Sequence, residues 1–131
     1  AAAKLGGNGG GHKIAAGATL SSDKEKEFLD SHNIKNLEPE LPGYARTAAL
    51  VDQLDLVITV DTAIGHVSAA LGKPTWILLS DAPDWRWLQS GKTTAWYPTV
   101  TLYRQAKEMS KLSEVVATIK KDLINLNNHN E

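Results

Sequence analysis

The sequence predicts an α/β protein of Rossmann type, in which helices flank a parallel sheet. Two runs of mostly apolar, often β-branched residues carry this prediction, at positions 56–60 and 75–79. Such runs, without polar alternation, are typical of parallel strands buried on both faces. Between them, residues 64–71 predict a helix of small residues that ends at the Gly-Lys-Pro of residues 72–74. The order strand, helix, strand predicts a right-handed βαβ unit.

Composition limits the classes of function. The 131 residues suit one domain, and lysine and arginine number 14 against 15 acidic residues, for a net charge of −1. This balance argues against a nucleic acid partner. The absence of cysteine excludes disulfides and thiolate chemistry within these residues. No apolar run approaches the roughly 20 residues of a membrane-spanning helix, and no secretory signal pattern is seen, so we expect a soluble, cytoplasmic protein.

The first third of the chain is weakly patterned. Residues 1–12 contain a glycine-dense run and predict a flexible lead, because glycine is costly to order and brings no side chain to pack. The glycines lack the spacing and the preceding strand of a dinucleotide fingerprint. Residues 14–20 suggest a weak strand, and residues 24–32 a helix capped by the preceding serines and aspartate. A connection follows, with a possible short strand at 34–37.

The remaining elements follow from apolar periodicity and turn residues. Residues 44–54 predict a helix, and residues 80–99 a long aromatic and polar loop. A short strand at 100–103 precedes a last helix, capped by Ser113, whose apolar stripe is Val115, Val116, Ile119, Leu123 and Leu126. Residues 127–131 are expected to fray. We therefore predict one domain over residues 13–126.

The first candidate site is the turn where the strand at 56–60 passes into a helix. Its sequence is Asp61-Thr62-Ala63-Ile64-Gly65-His66. The first amides of a helix lack partners and carry partial positive charge, so phosphate binds there readily. Asp61 could hold a sugar hydroxyl, Thr62 could donate a hydrogen bond, and His66 lies one turn further on. The alternative is that Asp61 or Thr62 only caps the helix and His66 is a buried, satisfied histidine.

The second candidate site is Asp84-Trp85-Arg86-Trp87, in the loop after the next strand and therefore at the same edge of the sheet. Arginine pairs bidentately with phosphate, and indole faces suit sugar rings or nucleobases. For both tryptophans, and more strongly for residues 96–98, we favour the alternative that they close a small core. Arg104 and Gln105 follow the predicted last strand and could reach the same crevice, but for both we favour a solvated surface position.

Several blocks of residues, in order, resemble a known family. They are residues 48–50, 54–62, 69–74, 84–87 and 96–98. This part of the chain is similar to the glycosyltransferase-like C-terminal domain of bacterial tetratricopeptide-repeat proteins, and more distantly to the heptosyltransferase-type glycosyltransferases of family 9. The family commonly has alanine-histidine-leucine where this chain has Gly65-His66-Val67.

The resemblance implies a GT-B fold, in which two Rossmann-like domains face each other and the C-terminal one binds the nucleotide-diphosphate sugar. It implies that Asp61, Thr62 and His66 line the donor site, while the amides near Ala63 and Ile64 hold the diphosphate. We add Asp84, Trp85 and Arg86 as candidate donor contacts from the second loop. The chain has no D-x-D carboxylate pair, so we expect no metal ion and no cofactor besides the donor substrate.

We therefore expect the donor-binding half of a hexosyl or heptosyl transferase. Its catalytic residues are unknown, and alone it should be almost inactive, because an acceptor domain or repeat region is not among these residues. Weak self-association is expected through the face meant for that partner. The alternative is a non-catalytic interaction module that no longer binds nucleotide. Another Rossmann-type binder, such as an oxidoreductase half, is disfavoured by the missing glycine fingerprint.

Overall fold

The computed structural model describes residues 8–14, 18–19, 22–35, 37, 41, 43–105 and 112–128. The chain divides into two compact units, residues 1–47 and 48–131. Helix α2 (Tyr44–Val51) runs across this division. Each unit is described by itself.

The first unit contains two short strands and a helix. Strand β1 (Asn8–Ile14) pairs antiparallel with β2 (Ala18–Thr19), with an irregularity between Gly9 and Ile14, and helix α1 covers Ser22–Ser31. The helix confirms the prediction for this segment, starting two residues early. Strand β1 occupies part of the glycine-rich segment that we predicted to be a flexible lead. The limits of the predicted domain stay a prediction.

Helix α1 ends at a residue in the left-handed backbone region. Asn33 has φ 53°, and the amide of Ile34 donates to the carbonyl of Leu29 over 2.9 Å. Asparagine tolerates this conformation better than most residues, which explains the stop at this point. Residues 34, 35 and 37 are not in a strand, so the short strand suggested there is not observed in this part of the described chain.

The second unit is a three-stranded parallel sheet with flanking helices, so the predicted Rossmann-like α/β class is confirmed. Its strands are β3 (Val57–Val60), β4 (Thr75–Leu79) and β5 (Val100–Arg104), in the order β3-β4-β5. Both pairings are parallel. Helix α3 (Ala63–Ala70) connects β3 to β4, and helix α4 (Leu112–Asn128) follows β5.

Apolar side chains on both faces of the sheet are covered, as the continuous apolar runs predicted. On one face, buried Ile77, Leu79 and Leu102 pack with Ala69 of α3 and with Trp87. The other face carries a second cluster, in which α4 residues Val115 and Ile119 join Tyr103, Ile58, Trp76 and Leu78. Burial on both faces explains why β4 shows no polar alternation along its length.

Helix α4 buries only part of its predicted apolar stripe. Val115 and Ile119 are buried, whereas Val116 and Leu126 are exposed. The Tyr103 hydroxyl donates to the Asp122 carboxylate over 2.9 Å, which fastens α4 to β5. Burial, and then the hydrogen bond and charge of Asp122, raise the pKa of Tyr103 above its usual value. No helix within the described ranges is long and apolar enough to cross a membrane.

Helix α3 lies close to the sheet because Gly65 has no side chain. A Cβ atom at this buried glycine would lie 3.2 Å from Ile77 Cδ1 and 3.4 Å from Thr59 Cγ2. Gly72 lies two residues beyond the end of the helix and has a φ of 73°, which few other residues adopt. The close approach of Gly65 to Ile77 and Thr59 sets the distance between α3 and the strands that it joins.

Replacing Gly65 by valine is therefore expected to lower the free energy of unfolding by about 1–3 kcal/mol, as overpacking of a core typically does. Gly65→Ala should cost much less, because its gain in helix propensity, about 1 kcal/mol, offsets the single tight contact. Urea unfolding followed by circular dichroism measures both. Ala70→Val, at an exposed position of the same helix, is the control. Equal losses for Gly65→Val and Ala70→Val would contradict the packing argument.

Candidate functional site

The two predicted site loops meet at one edge of the sheet. Strands β3 and β4 are parallel neighbours, so the loops that follow Val60 and Leu79 leave from the same edge. Asp61 connects them, because its Oδ1 accepts a hydrogen bond from the indole Nε1 of Trp87 over 2.7 Å. Its Oδ2 accepts a weaker bond from the backbone amide of Asp84 over 3.4 Å. The structure thus brings together segments more than twenty residues apart in sequence.

The turn after β3 is open to solvent. Thr62 is the N-terminal flanking residue of α3, with extended backbone angles, and its side chain makes no capping hydrogen bond. Its hydroxyl lies 3.2 Å from that of Thr59. Asp61, Thr62 and Ala63 are exposed, and Ile64 is half-buried. The alternative that Asp61 or Thr62 only caps the helix is therefore wrong, since neither side chain does so.

His66 is held by aromatic neighbours. Its ring stacks on Trp87 with 4.8 Å between centroids and 22° between planes. Its Nδ1 lies within hydrogen-bond distance of the Tyr97 hydroxyl, at 3.2 Å. The histidine is half-buried rather than enclosed. His66 therefore has the ring partners expected of a satisfied buried histidine. It also keeps the partial exposure that a donor-site residue needs.

The tryptophans of the second loop differ sharply in burial. Residues Trp85–Trp87 form one 3₁₀ turn, and Trp87 is 0% exposed within the core. The interpretation as a core residue is correct for Trp87. It is wrong for Trp85 and Trp96, which are 63% and 59% exposed. These two exposed indoles contact each other edge to face, with centroids 5.9 Å apart and planes at 84°.

Asp84 and Arg86 form a surface ion pair at the start of this turn. Asp84 Oδ1 accepts from the Arg86 amide over 3.0 Å and from its Nη1 over 2.9 Å. The hydrogen bond from the Arg86 backbone amide, and then the hydrogen bond and charge of the guanidinium, lower the pKa of Asp84 below its usual value. The Arg86 guanidinium also lies over the Trp85 ring, 4.7 Å from its centroid. A phosphate contact by Arg86 stays a prediction.

Sequence reasoning missed Arg104, which is not a solvated surface residue. At the end of β5 its Nε donates to the carbonyl of Gly91 over 2.7 Å, and its Nη1 to that of Leu88 over 3.0 Å. Its Nη2 donates to the carbonyls of Trp87 and, at 3.4 Å, Ser90. Burial lowers the pKa of this guanidinium. The sequence contained one signal for this contact. Arg104 directly follows the strand predicted after the long loop, and that loop begins at the end of the neighbouring strand β4.

Thr94 is the second residue that was missed. Its hydroxyl is buried, donates to the carbonyl of Arg86 over 3.3 Å and accepts from the amide of Trp96 over 3.3 Å. One side chain thus joins the segments that carry the two exposed tryptophans. No sequence pattern points to this threonine, because its partners are backbone groups brought near by the loop fold.

Two further features bear on where a ligand would bind. No group of three or more histidine or acidic residues in the described part of the chain could hold a metal ion. A depression of about 440 Å³ lies between β5 and α4, lined among others by Lys92, Tyr103, Glu114 and Val115. None of the predicted site residues lines it. We therefore keep the candidate site at the sheet edge, where the predicted residues converge.

Comparison with protein families places this geometry in context. The family model for glycosyltransferase family 9 (heptosyltransferase) matches residues 33–115. A model for the DHHA1 domain matches residues 1–33, too small a share of the chain to assign a family. No curated protein and no solved structure matches. The first match covers more than half of the chain, including all three parallel strands and both candidate loops. The chain therefore belongs to glycosyltransferase family 9, the heptosyltransferase family.

Proposed function

We propose that this chain binds the nucleotide-diphosphate sugar of a hexosyl or heptosyl transfer at the turn after β3. The observation that carries the proposal is the pair of hydrogen bonds that the Asp61 carboxylate accepts from the second loop, because they join the two predicted halves of the site. The exposed start of α3 supports it further. The amides of Ala63 and Ile64 would hold the diphosphate, as unpaired helix amides commonly do.

In this proposal each predicted residue has a distinct task. Asp61 acts as a positioning residue, since its carboxylate is occupied by Trp87 and the Asp84 amide. The exposed hydroxyl of Thr62 can donate to a phosphate oxygen. His66 borders the turn in an orientation set by Trp87 and Tyr97. When the glycosidic bond breaks, negative charge grows on the departing diphosphate, and the helix amides stabilise it there.

Donor binding alone does not complete a transfer. The acceptor must be held in near-attack geometry beside the donor, and in a GT-B enzyme a second domain does this. The structure describes one Rossmann-like unit in residues 48–131. We therefore propose that these 131 residues by themselves bind donor and transfer little or no sugar. We assign no catalytic base.

An NMR titration of the ¹⁵N-labelled chain with UDP, GDP and ADP tests donor binding. We expect saturable shifts of the amides of residues 61–66 with at least one nucleotide. The alternative, an interaction module, has some support in the exposed tryptophans and predicts no shift at millimolar nucleotide. That outcome would overturn the proposal.

Two substitutions of opposite charge at the exposed residue Ala63 test the position of the diphosphate. Ala63→Asp places negative charge at the first residue of α3 and should weaken nucleotide binding about tenfold by repulsion of the diphosphate. Ala63→Lys should preserve or strengthen binding. Because Ala63 is exposed, both variants should remain folded, which circular dichroism checks. Equal affinity of the two variants would contradict a diphosphate at these amides.

A further inference from the structure

We propose that Trp85 and Trp96 form a platform that binds the sugar ring of the donor. This inference rests on the proposed function and deepens it by assigning the glycosyl group to a surface. Two tryptophans that are 63% and 59% exposed are unusual on a small domain, because indoles dominate burial energetics. The two rings contact each other, and contiguous exposed apolar groups often mark binding surfaces.

The two indoles have a defined geometry. Their planes are at 84°, so the edge of one ring meets the face of the other and the two rings form a corner. The Arg86 guanidinium lies against Trp85 at 4.7 Å and is itself held by Asp84. Rings held in place before a ligand arrives lose little entropy on binding.

Hydrogen bonds between two side chains and the backbone hold the segments that carry this corner. The hydroxyl of Thr94 joins the carbonyl of Arg86 to the amide of Trp96, immediately beside the two platform rings in sequence. Arg104 holds the carbonyls of the segment from Trp87 to Gly91. Polar side chains thus bind the backbone of both segments that carry the exposed rings.

The position of the platform matches the covalent structure of the donor. The amide of Asp84 contacts the carboxylate of Asp61, and Trp85 is the next residue. One platform residue therefore directly follows the residue whose amide contacts the turn that we propose for the diphosphate. A donor sugar is bonded directly to that diphosphate, so its subsite must lie beside the phosphate subsite.

The chemistry of the platform suits a neutral, hydroxylated ring. The opposite charges of Asp84 and Arg86 lie 2.9 Å apart and partly offset each other, so the pair presents both a hydrogen-bond acceptor and donors beside the Trp85 ring. A sugar ring presents an apolar C–H face, which can pack on an indole, and a rim of hydroxyls. The Asp84 carboxylate can accept from such hydroxyls, and the Arg86 guanidinium can donate to them.

The test compares each nucleotide with its sugar, using the indole N–H signals of the ¹⁵N-labelled chain. The pairs are UDP and UDP-glucose, GDP and GDP-mannose, and ADP and ADP-glucose. We expect the Trp85 and Trp96 indoles to respond to the sugar nucleotide and not to the nucleotide alone. Trp85→Leu should lower the affinity of the sugar nucleotide, relative to its nucleotide, about tenfold through lost apolar contact. Trp85→Phe should keep most of that advantage.

The outcomes separate this inference from the proposed function. If the nucleotide alone shifts both indoles equally, the platform stacks a nucleobase and the sugar assignment is overturned. If the amides of residues 61–66 respond and the indoles never do, the platform fails while donor binding stands. If those amides do not respond, donor binding fails. In that case the chain is titrated with methyl glucoside and methyl mannoside. Shifts of the Trp85 and Trp96 indole signals support a sugar site, and unchanged signals overturn it.

Discussion

The variant Trp87→Ala is expected to lose about 3–5 kcal/mol of folding free energy, the usual cost of emptying a large buried aromatic position. Trp87 is 0% exposed and packs in the cluster with Ile77, Leu79 and Leu102. Since small domains are stable by only about 5–15 kcal/mol, this loss is a large fraction of the total. Urea unfolding followed by far-ultraviolet circular dichroism measures the loss.

Trp87→Phe separates the ring from its polar group. Phenylalanine keeps an aromatic surface for His66 but removes the N–H that donates to Asp61. We expect a loss of about 1–2 kcal/mol, typical of an unpaired partner at a partly buried hydrogen bond. If Asp61 holds the second loop through this bond, nucleotide affinity should fall as well.

Trp85→Ala is the matched control, two residues away and 63% exposed. Its stability should change by no more than about 0.5 kcal/mol, as for most surface substitutions. Both residues lie in the same 3₁₀ turn, but only Trp87 is buried and donates a hydrogen bond to Asp61. Similar losses for Trp85→Ala and Trp87→Ala would show that the core does not extend under this loop as described.

The second large effect is expected from Arg104→Gln, with a loss of about 2 kcal/mol. Charged donors contribute more than neutral ones to hydrogen bonds, roughly 1.5–3 kcal/mol before solvent exposure reduces the value. The guanidinium holds carbonyls between Trp87 and Gly91, so its removal frees the segment that follows the 3₁₀ turn. We expect the Trp85 and Trp96 indole signals to broaden or shift.

Arg104→Lys tests whether charge or shape matters. Lysine preserves the charge but has no planar fork that reaches several carbonyls at once. We expect it to recover only a minor part of the lost stability. Full recovery by lysine would mean that Arg104 acts through charge, and unchanged indole signals in Arg104→Gln would refute its role in positioning the loop.

Much of the second unit was predictable from the sequence. The strands β3 and β4 and helix α3 follow from apolar runs, small residues and the stop at Gly72. These are local signals, in which each residue's preference agrees with the element that it joins. The site turn was predictable for the same reason, because it lies where a buried strand passes into a helix.

The second loop was much less predictable. Trp85 and Trp87 are the same residue type two positions apart, and no local pattern distinguishes the buried ring from the exposed one. Their burial depends on where Ile77, Leu102 and His66 lie in space. Arg104 was assigned to the surface for a related reason, since the carbonyls that it binds come from a separate loop segment.

The sequence by itself determined the fold class, the strand–helix–strand unit and the position of the turn at residues 61–66, where a buried strand passes into a helix. Periodicity and turn chemistry act within a few residues, so they can be read without the fold. Only the tertiary structure decided that Asp61 binds Trp87 and Asp84, that Thr94 and Arg104 hold the second loop, and that Trp85 and Trp96 remain exposed. Those contacts join segments distant in sequence, and their geometry exists only once the parallel strands have brought both loops to one edge.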